Sequence, residues 1–117
     1  MKKVLIICDN INEITALKRH FGEDYRVSGS NSAENALGIL QNGTTDIAVY
    51  KTGSDMSKLL AFYKRVRQEP KTEKLPIIFI ADEAVLGVLN DVASLEKAAG
   101  ISPPVSAESM ENLINSF

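Results

Sequence analysis

The sequence predicts a single α/β domain in which five strand–helix units surround one parallel sheet. Two observations carry this prediction. Val4–Cys8 and Leu75–Ile80 are nearly unbroken runs of β-branched and other apolar residues, the pattern of strands covered on both faces. Stretches with helical spacing alternate strictly with such runs, joined by short loops, which implies parallel strands with helices on both sides. The chain has 117 residues, enough for one core, so one domain over residues 1–117 is expected.

Each element has its own signals. The first strand, Val4–Cys8, ends at Asp9-Asn10. Asn10 is a good helix N-cap, and Glu13 at the third helical position resembles the second half of a capping box. Ile11, Ile14, Leu17 and Phe21 then recur at helical spacing, Lys18 and Arg19 face outward, and Gly22 supplies a stop. Tyr25–Ser28 is a short second strand with polar residues, suited to an edge. Asn31 and Glu34 resemble another capped start, and Ala33, Ala36, Leu37 and Leu40 form the stripe of the second helix. Asn42-Gly43 carries turn chemistry.

The third strand is Asp46–Tyr50, and Lys51 stands at its carboxyl end, where ligands gather in open α/β sheets. Ser54 or Asp55 can cap the third helix. Its inward residues are Leu59, Leu60, Phe62, Tyr63 and Val66, with Lys64, Arg65 and Arg67 exposed. A charged connector, Gln68–Lys74, is broken by Pro70. Pro76 can stand only at the beginning of the fourth strand. The fourth helix places Val85, Leu86, Val88, Leu89, Val92 and Leu95 inward and ends at Gly100. Ile101-Ser102 is a very short fifth strand, stopped by Pro103-Pro104. Ser106 caps a last helix with Met110, Leu113 and Ile114 on its apolar face.

Composition narrows the function. Hydrophobic residues make up 44% and charged residues 24%, with a net charge of −2 and a pI of about 5.4. Without a basic stripe, nucleic acid is not expected as a direct partner. One cysteine forms no internal disulfide. The start, Met-Lys-Lys before Val4–Cys8, is too short in its apolar run for a signal peptide, and no segment approaches transmembrane length. A cytoplasmic protein with no membrane contact is expected.

The order of these features resembles the receiver domain of bacterial response regulators across essentially the whole chain. The residues that carry the resemblance are the Cys8-Asp9 junction after the first strand, Asp46 five residues before Lys51, Pro76 opening the fourth strand and Pro104 after the fifth. The resemblance implies a flavodoxin-like (βα)5 three-layer sandwich, CheY-like, with strand order 2-1-3-4-5.

It also implies a pocket of five positions whose residue types have changed. The family's two metal-binding acids fall on Cys8 and Asp9, its phosphoacceptor aspartate on Lys51, its Ser/Thr hydroxyl on Ala81 and its phosphate-pairing lysine on Pro103. An aromatic that reports activation falls on Gly100. Only Asp9 keeps the family's residue type. A lysine forms no acyl phosphate, and one carboxylate with a loop carbonyl makes a poor Mg2+ site that the soft Cys8 does not repair. Neither a metal nor another cofactor is expected. The family's cis proline falls on Pro104.

The remaining ionisable residues yield few alternatives. An Asp9–Lys51 ion pair would set a fixed cation where the family places its metal; a solvated Lys51 is the plainer reading. Cys8 reads as a small buried filler, and His20 as a boundary residue without partners for catalysis. Asp46 starts its strand at the wrong end of the sheet, and Asp55 reads as a cap. Asp82, after Ala81, is the one acid placed to restore metal affinity together with Asp9.

The expected function is therefore a pseudo-receiver: a binding module of signal transduction, independent of phosphorylation and not an enzyme. Its protein partners would meet the fourth helix, fifth strand and fifth helix, around Ala98, Ala99, Gly100 and Ile101; a homodimer or an attached output domain fits that face. The alternative is a phosphorelay receiver rewired through Asp82 and Asp9. A flavodoxin-like ligand-binding protein or enzyme comes third, because Asp9–Asn12 contains no glycine for a phosphate loop.

Overall fold

The computed structural model describes residues 2–52, 55–91 and 97–117, with residues 88–91 as backbone alone. The strands are β1 (Lys2–Ile7), β2 (Tyr25–Ser30), β3 (Ile47–Lys51), β4 (Ile77–Ile80) and β5 (Ala98–Ile101); the helices are α1 (Ile11–Lys18), α2 (Ala33–Leu40), α3 (Met56–Gln68), α4 (Glu83–Asp91) and α5 (Ala107–Asn115). All neighbouring strands are parallel, and their order is β2-β1-β3-β4-β5. The parallel five-stranded sheet is the architecture expected from the alternation of the two patterns, and its order is the one the resemblance implies.

The two-residue period of the strands sorts the core into two layers. Leu5, Ile7, Ala48, Tyr50, Ile77 and Phe79 pack with the apolar stripes of α2 and α3. Val4, Ile6, Cys8, Ile47, Val49, Ile78 and Ile80 pack on the other face with Ile14 and Leu17 of α1 and Met110 and Ile114 of α5. Lys51 is two residues beyond Val49, so its side chain leaves the sheet on the α1 side.

Several local expectations change. Ile11 is 64% exposed; α1 buries only Ile14 and Leu17. Asn10 does cap α1, accepting from the Asn12 amide at 2.9 Å, but Glu13 does not complete a capping box. The helix stops at Lys18, before Gly22. β2 runs on to Ser30, and its Gly29 is required by close approach: a Cβ there would stand 2.5 Å from Ile14 Cγ2. Ser32, not Asn31, caps α2 and accepts from the Asn35 amide at 3.1 Å. Asp55 caps α3 through the Lys58 amide at 3.1 Å. Ser106 caps α5 in a reciprocal box with Ser109.

The end of α4 and the fifth strand are also redrawn. Gly100 does not terminate a helix; it lies inside β5, which spans Ala98–Ile101. A Cβ at Gly100 would stand 2.6 Å from Leu86 Cδ2, so the glycine lets α4 lie against the strand. Val92 and Leu95 fall outside the described residues. Gly43 has a φ of 72°, the left-handed turn after α2 that glycine favours. Arg67, expected in solvent, is half-buried, and its guanidinium donates to the carbonyls of Thr72 and Leu75 at 3.2 and 2.8 Å.

Candidate functional site

The carboxyl ends of β1, β3 and β4 meet at one edge of the sheet. Their loops are tied into the ladder by the amides of Cys8, Thr52 and Ala81, which donate to Ser30, Ile80 and Ile101 at 3.1, 2.9 and 3.2 Å. Side chains leaving these strand ends therefore start from fixed backbone.

Lys51 pairs with Ile80 in the sheet register and extends toward α1. Its Nζ donates to Glu13 Oε1 at 2.9 Å. The second oxygen, Glu13 Oε2, accepts from Cys8 Sγ at 3.1 Å. Cys8 Sγ is 3.9 Å from Asp9 Oδ1. Of the two readings of Lys51, an ion pair with Asp9 or a solvated side chain, neither holds: its partner is Glu13. The reason is geometric: Lys51 and Cys8 lie on the α1 face of the sheet, and Glu13 is on the first turn of that helix. Asp9 is an exposed loop residue. Sequence reasoning assigned Glu13 to a cap; the strand parity of Lys51, followed through to α1, was the signal that could have found it.

Charge follows this geometry. The Lys51 ammonium, and after it the Cys8 thiol, hold the Glu13 carboxyl below its ordinary 4.5. Burial pushes the Cys8 thiol up; the Asn10 backbone opposes this, and Glu13 reinforces it. Cys8 is 3% exposed, which suits a packed thiol and not a nucleophile. A depressed carboxyl stabilises the fold above its ordinary pKa, and that stabilisation is lost as pH falls through the folded value. The Lys51 and Glu13 side chains are 24% and 42% exposed, so solvent holds the effect below about 1 kcal/mol. Urea titrations between about pH 6 and pH 3 should show a shallower acid loss in Lys51→Met than in the native chain. An identical slope would remove the pair from the account of stability.

Among the described residues, the group close enough to share a cation is Cys8, Asp9 and Glu13, with ligand atoms within 4.8 Å of one another. Asp82 stands outside it. The donor set does not fit the hard divalent cation the resemblance implies. It offers a protonated thiol and one free carboxylate, while both oxygens of Glu13 are engaged by Lys51 and Cys8.

The other sequence-predicted positions are spread over both edges of the sheet. Ala81 is buried and Asp82 exposed. Pro103 and Pro104 are exposed, and the peptide bond between them is cis. Ala98, Ala99 and Ile101 are half-buried and Gly100 exposed along β5, the edge strand beyond β4. His20 is half-buried after α1. Asp46 lies at the opposite edge, where its carboxylate accepts from the Lys3 amide at 2.7 Å. No helix among the described residues is long and apolar enough to cross a membrane.

A cavity opens beside the strand ends. It measures about 710 Å3, and Tyr50, Phe62 and Leu37 are among the residues that line it. It reaches from Cys8, Asp9 and Lys51 along the groove between α2 and α3. Sequence reasoning did not anticipate it, because a groove depends on how far two helices stand apart.

No family model matches the sequence, and no curated protein matches it. Solved structures do. The chemotaxis protein CheY4 of Vibrio cholerae aligns over 99% of this chain and 98% of its own at 18% identity, with a TM-score of 0.83. A response regulator receiver domain protein from Clostridium thermocellum aligns over 99% and 93% at 17% identity, with a TM-score of 0.80. The receiver domain of a Pseudomonas aeruginosa sensor histidine kinase, solved with magnesium in its active-site cleft, aligns over 99% and 96% at 14% identity, with a TM-score of 0.80. Such identities speak for backbone and not for chemistry. The fold of this chain is the flavodoxin-like fold of CheY-like response regulator receiver domains.

Proposed function

We propose that this chain is a pseudo-receiver: a signal-transduction module that acts by protein–protein contact, without aspartyl phosphorylation and without enzymatic activity. The observation that carries the reading is the Lys51 ammonium, held 2.9 Å from Glu13 at the carboxyl end of β3. Receivers of this fold are phosphorylated at that strand end, on an aspartate. An amine there forms no acyl phosphate, and its positive charge opposes the cation that phosphoryl transfer requires. Ala81 offers no hydroxyl, and Pro103 no ammonium, to hold a phosphoryl group.

The module works in the bacterial cytoplasm. Its partner meets the face formed by α4, β5 and α5 around Ala98, Ala99, Gly100 and Ile101, either as a second copy or as an output domain. Gly100 carries no side chain, so no aromatic switch stands at that position.

Incubation with acetyl phosphate and Mg2+, followed by intact mass measurement, tests the reading. Neither the native chain nor Lys51→Asp should gain a phosphoryl group, because Cys8, Ala81 and Pro103 remain unsuited in both. An alkali-labile adduct on the native chain would favour chemistry rewired through Asp82 and Asp9. An adduct on Lys51→Asp alone would show that the rest of the pocket still works.

A further inference from the structure

We propose that the groove between α2 and α3 is a second docking surface, shaped for an amphipathic helix of a partner protein with acidic residues on one flank and basic residues on the other. The space it offers is the cavity of about 710 Å3.

Each wall of the groove is one face of a helix. Lys58, Ala61, Phe62 and Arg65 line it from α3 and recur at the spacing of a single helix face. Ala33 and Leu37, one turn apart, line it from α2. The small side chains of Ala33 and Ala61 leave room between the walls. Leu37 and Phe62, with Tyr50 of β3, make the floor apolar. Tyr50 stacks on Phe62 at 4.6 Å, so the floor is firm. An apolar trough between two helices is the surface into which the apolar edge of a third helix packs.

The rims carry opposite charge. Lys58 and Arg65, two turns apart, are exposed on the α3 rim, and Glu34 is exposed on the α2 rim. Asp9 adds a negative charge at the strand-end mouth. Among the described residues, the ion pair joins Lys51 to Glu13, so neither rim is neutralised by one. The Asp55 carboxylate is engaged by the Lys58 amide as the cap of α3.

These charges select the partner. A uniformly anionic one, such as nucleic acid or an acidic membrane surface, would meet Glu34 and Asp9. A uniformly basic one would meet Lys58 and Arg65. A helix with glutamates on the flank toward α3 and lysines on the flank toward α2 suits both rims, and such charges beside an apolar seam set partner choice and register. The two flanks lie about 10 Å apart across the helix, so each charge reaches its own rim. The surface is separate from the face around β5, and its use does not depend on whether the pocket at Lys51 takes a phosphoryl group.

Calorimetric titration of the whole chain with designed helical peptides tests the surface. Each peptide has roughly 20 residues, enough to hold a helix, and leucines along one edge. One has glutamates on one flank and lysines on the other; two controls have both flanks acidic or both basic. The mixed peptide should bind saturably and about tenfold tighter than either control, and replacing its leucines by alanine should abolish binding. Lys58→Glu/Arg65→Glu, at exposed positions, should turn the preference toward the basic peptide, and Glu34→Lys toward the acidic one, each with a native circular dichroism spectrum. The proposal is overturned if the mixed peptide does not bind saturably at millimolar concentration, if a control binds the native chain as tightly, or if the charge variants keep the native order of preference.

Discussion

Phe79→Ala should cost about 3–5 kcal/mol of unfolding free energy, a large part of the roughly 5–15 kcal/mol that holds an ordinary domain folded. Phe79 is 1% exposed and sits in β4 between Tyr50 and Gly100 in the sheet register. Its ring meets Tyr50 edge-on at 6.3 Å and Tyr63 at 6.2 Å. Truncation removes apolar area and leaves a void that rigid rings and strand backbone cannot close, so transfer and cavity terms add. Urea unfolding should show a lower midpoint at unchanged slope. A loss under about 1 kcal/mol would mean that the layer between the sheet and α3 repacks freely, against this account of the core.

The second large effect is expected at Arg67. Its guanidinium donates to the carbonyls of Thr72 and Leu75 and, at 3.4 Å, to that of Lys97. It lies 5.0 Å from the centre of the Tyr63 ring. One side chain thereby joins the end of α3, the connector to β4 and the residue before β5. Charged hydrogen bonds of this kind contribute about 1.5–3 kcal/mol, and the positive charge suits a helix carboxyl end. Arg67→Ala should lose an amount in that range, whereas Lys64→Ala, an exposed neighbour, should stay within about 0.5 kcal/mol. Arg67→Lys should recover only part of the loss, because an ammonium cannot span several carbonyls at once. Parallel thermal melts compare the three, and equal melting temperatures for Arg67→Ala and Lys64→Ala would refute the staple.

Both residues mark a boundary in what a sequence reveals. Phe79 lies in an apolar run whose burial on both faces was legible at once, because strand periodicity is a local property of the backbone. Arg67 lies on the polar side of an amphipathic pattern and was read as exposed. Its partners are carbonyls in the following connector and, far along the chain, before β5; no local pattern announces them. The caps divide in the same way. Ser106 and Asp55 were readable from residue type, but the choice of Ser32 over Asn31 depended on β2 continuing to Ser30. That continuation depended in turn on Gly29 letting the strand pass close to Ile14.

At the candidate site, the amino-acid sequence by itself determined the residue types on which the proposed function rests: an amine at Lys51, a methyl at Ala81 and a ring without a cation at Pro103. It also determined five strand–helix units and hence a parallel sheet, since alternating periodicities leave few other ways to bury every apolar face. Only the tertiary structure decided what Lys51 does instead. The parity of β3 sends it toward α1, and the approach of that helix brings Glu13, and not Asp9, within reach. The cavity beside Tyr50 was likewise decided by the distance between α2 and α3. Periodicity is set by neighbouring residues, whereas pairs and cavities are set by which surfaces meet once the chain has closed on itself.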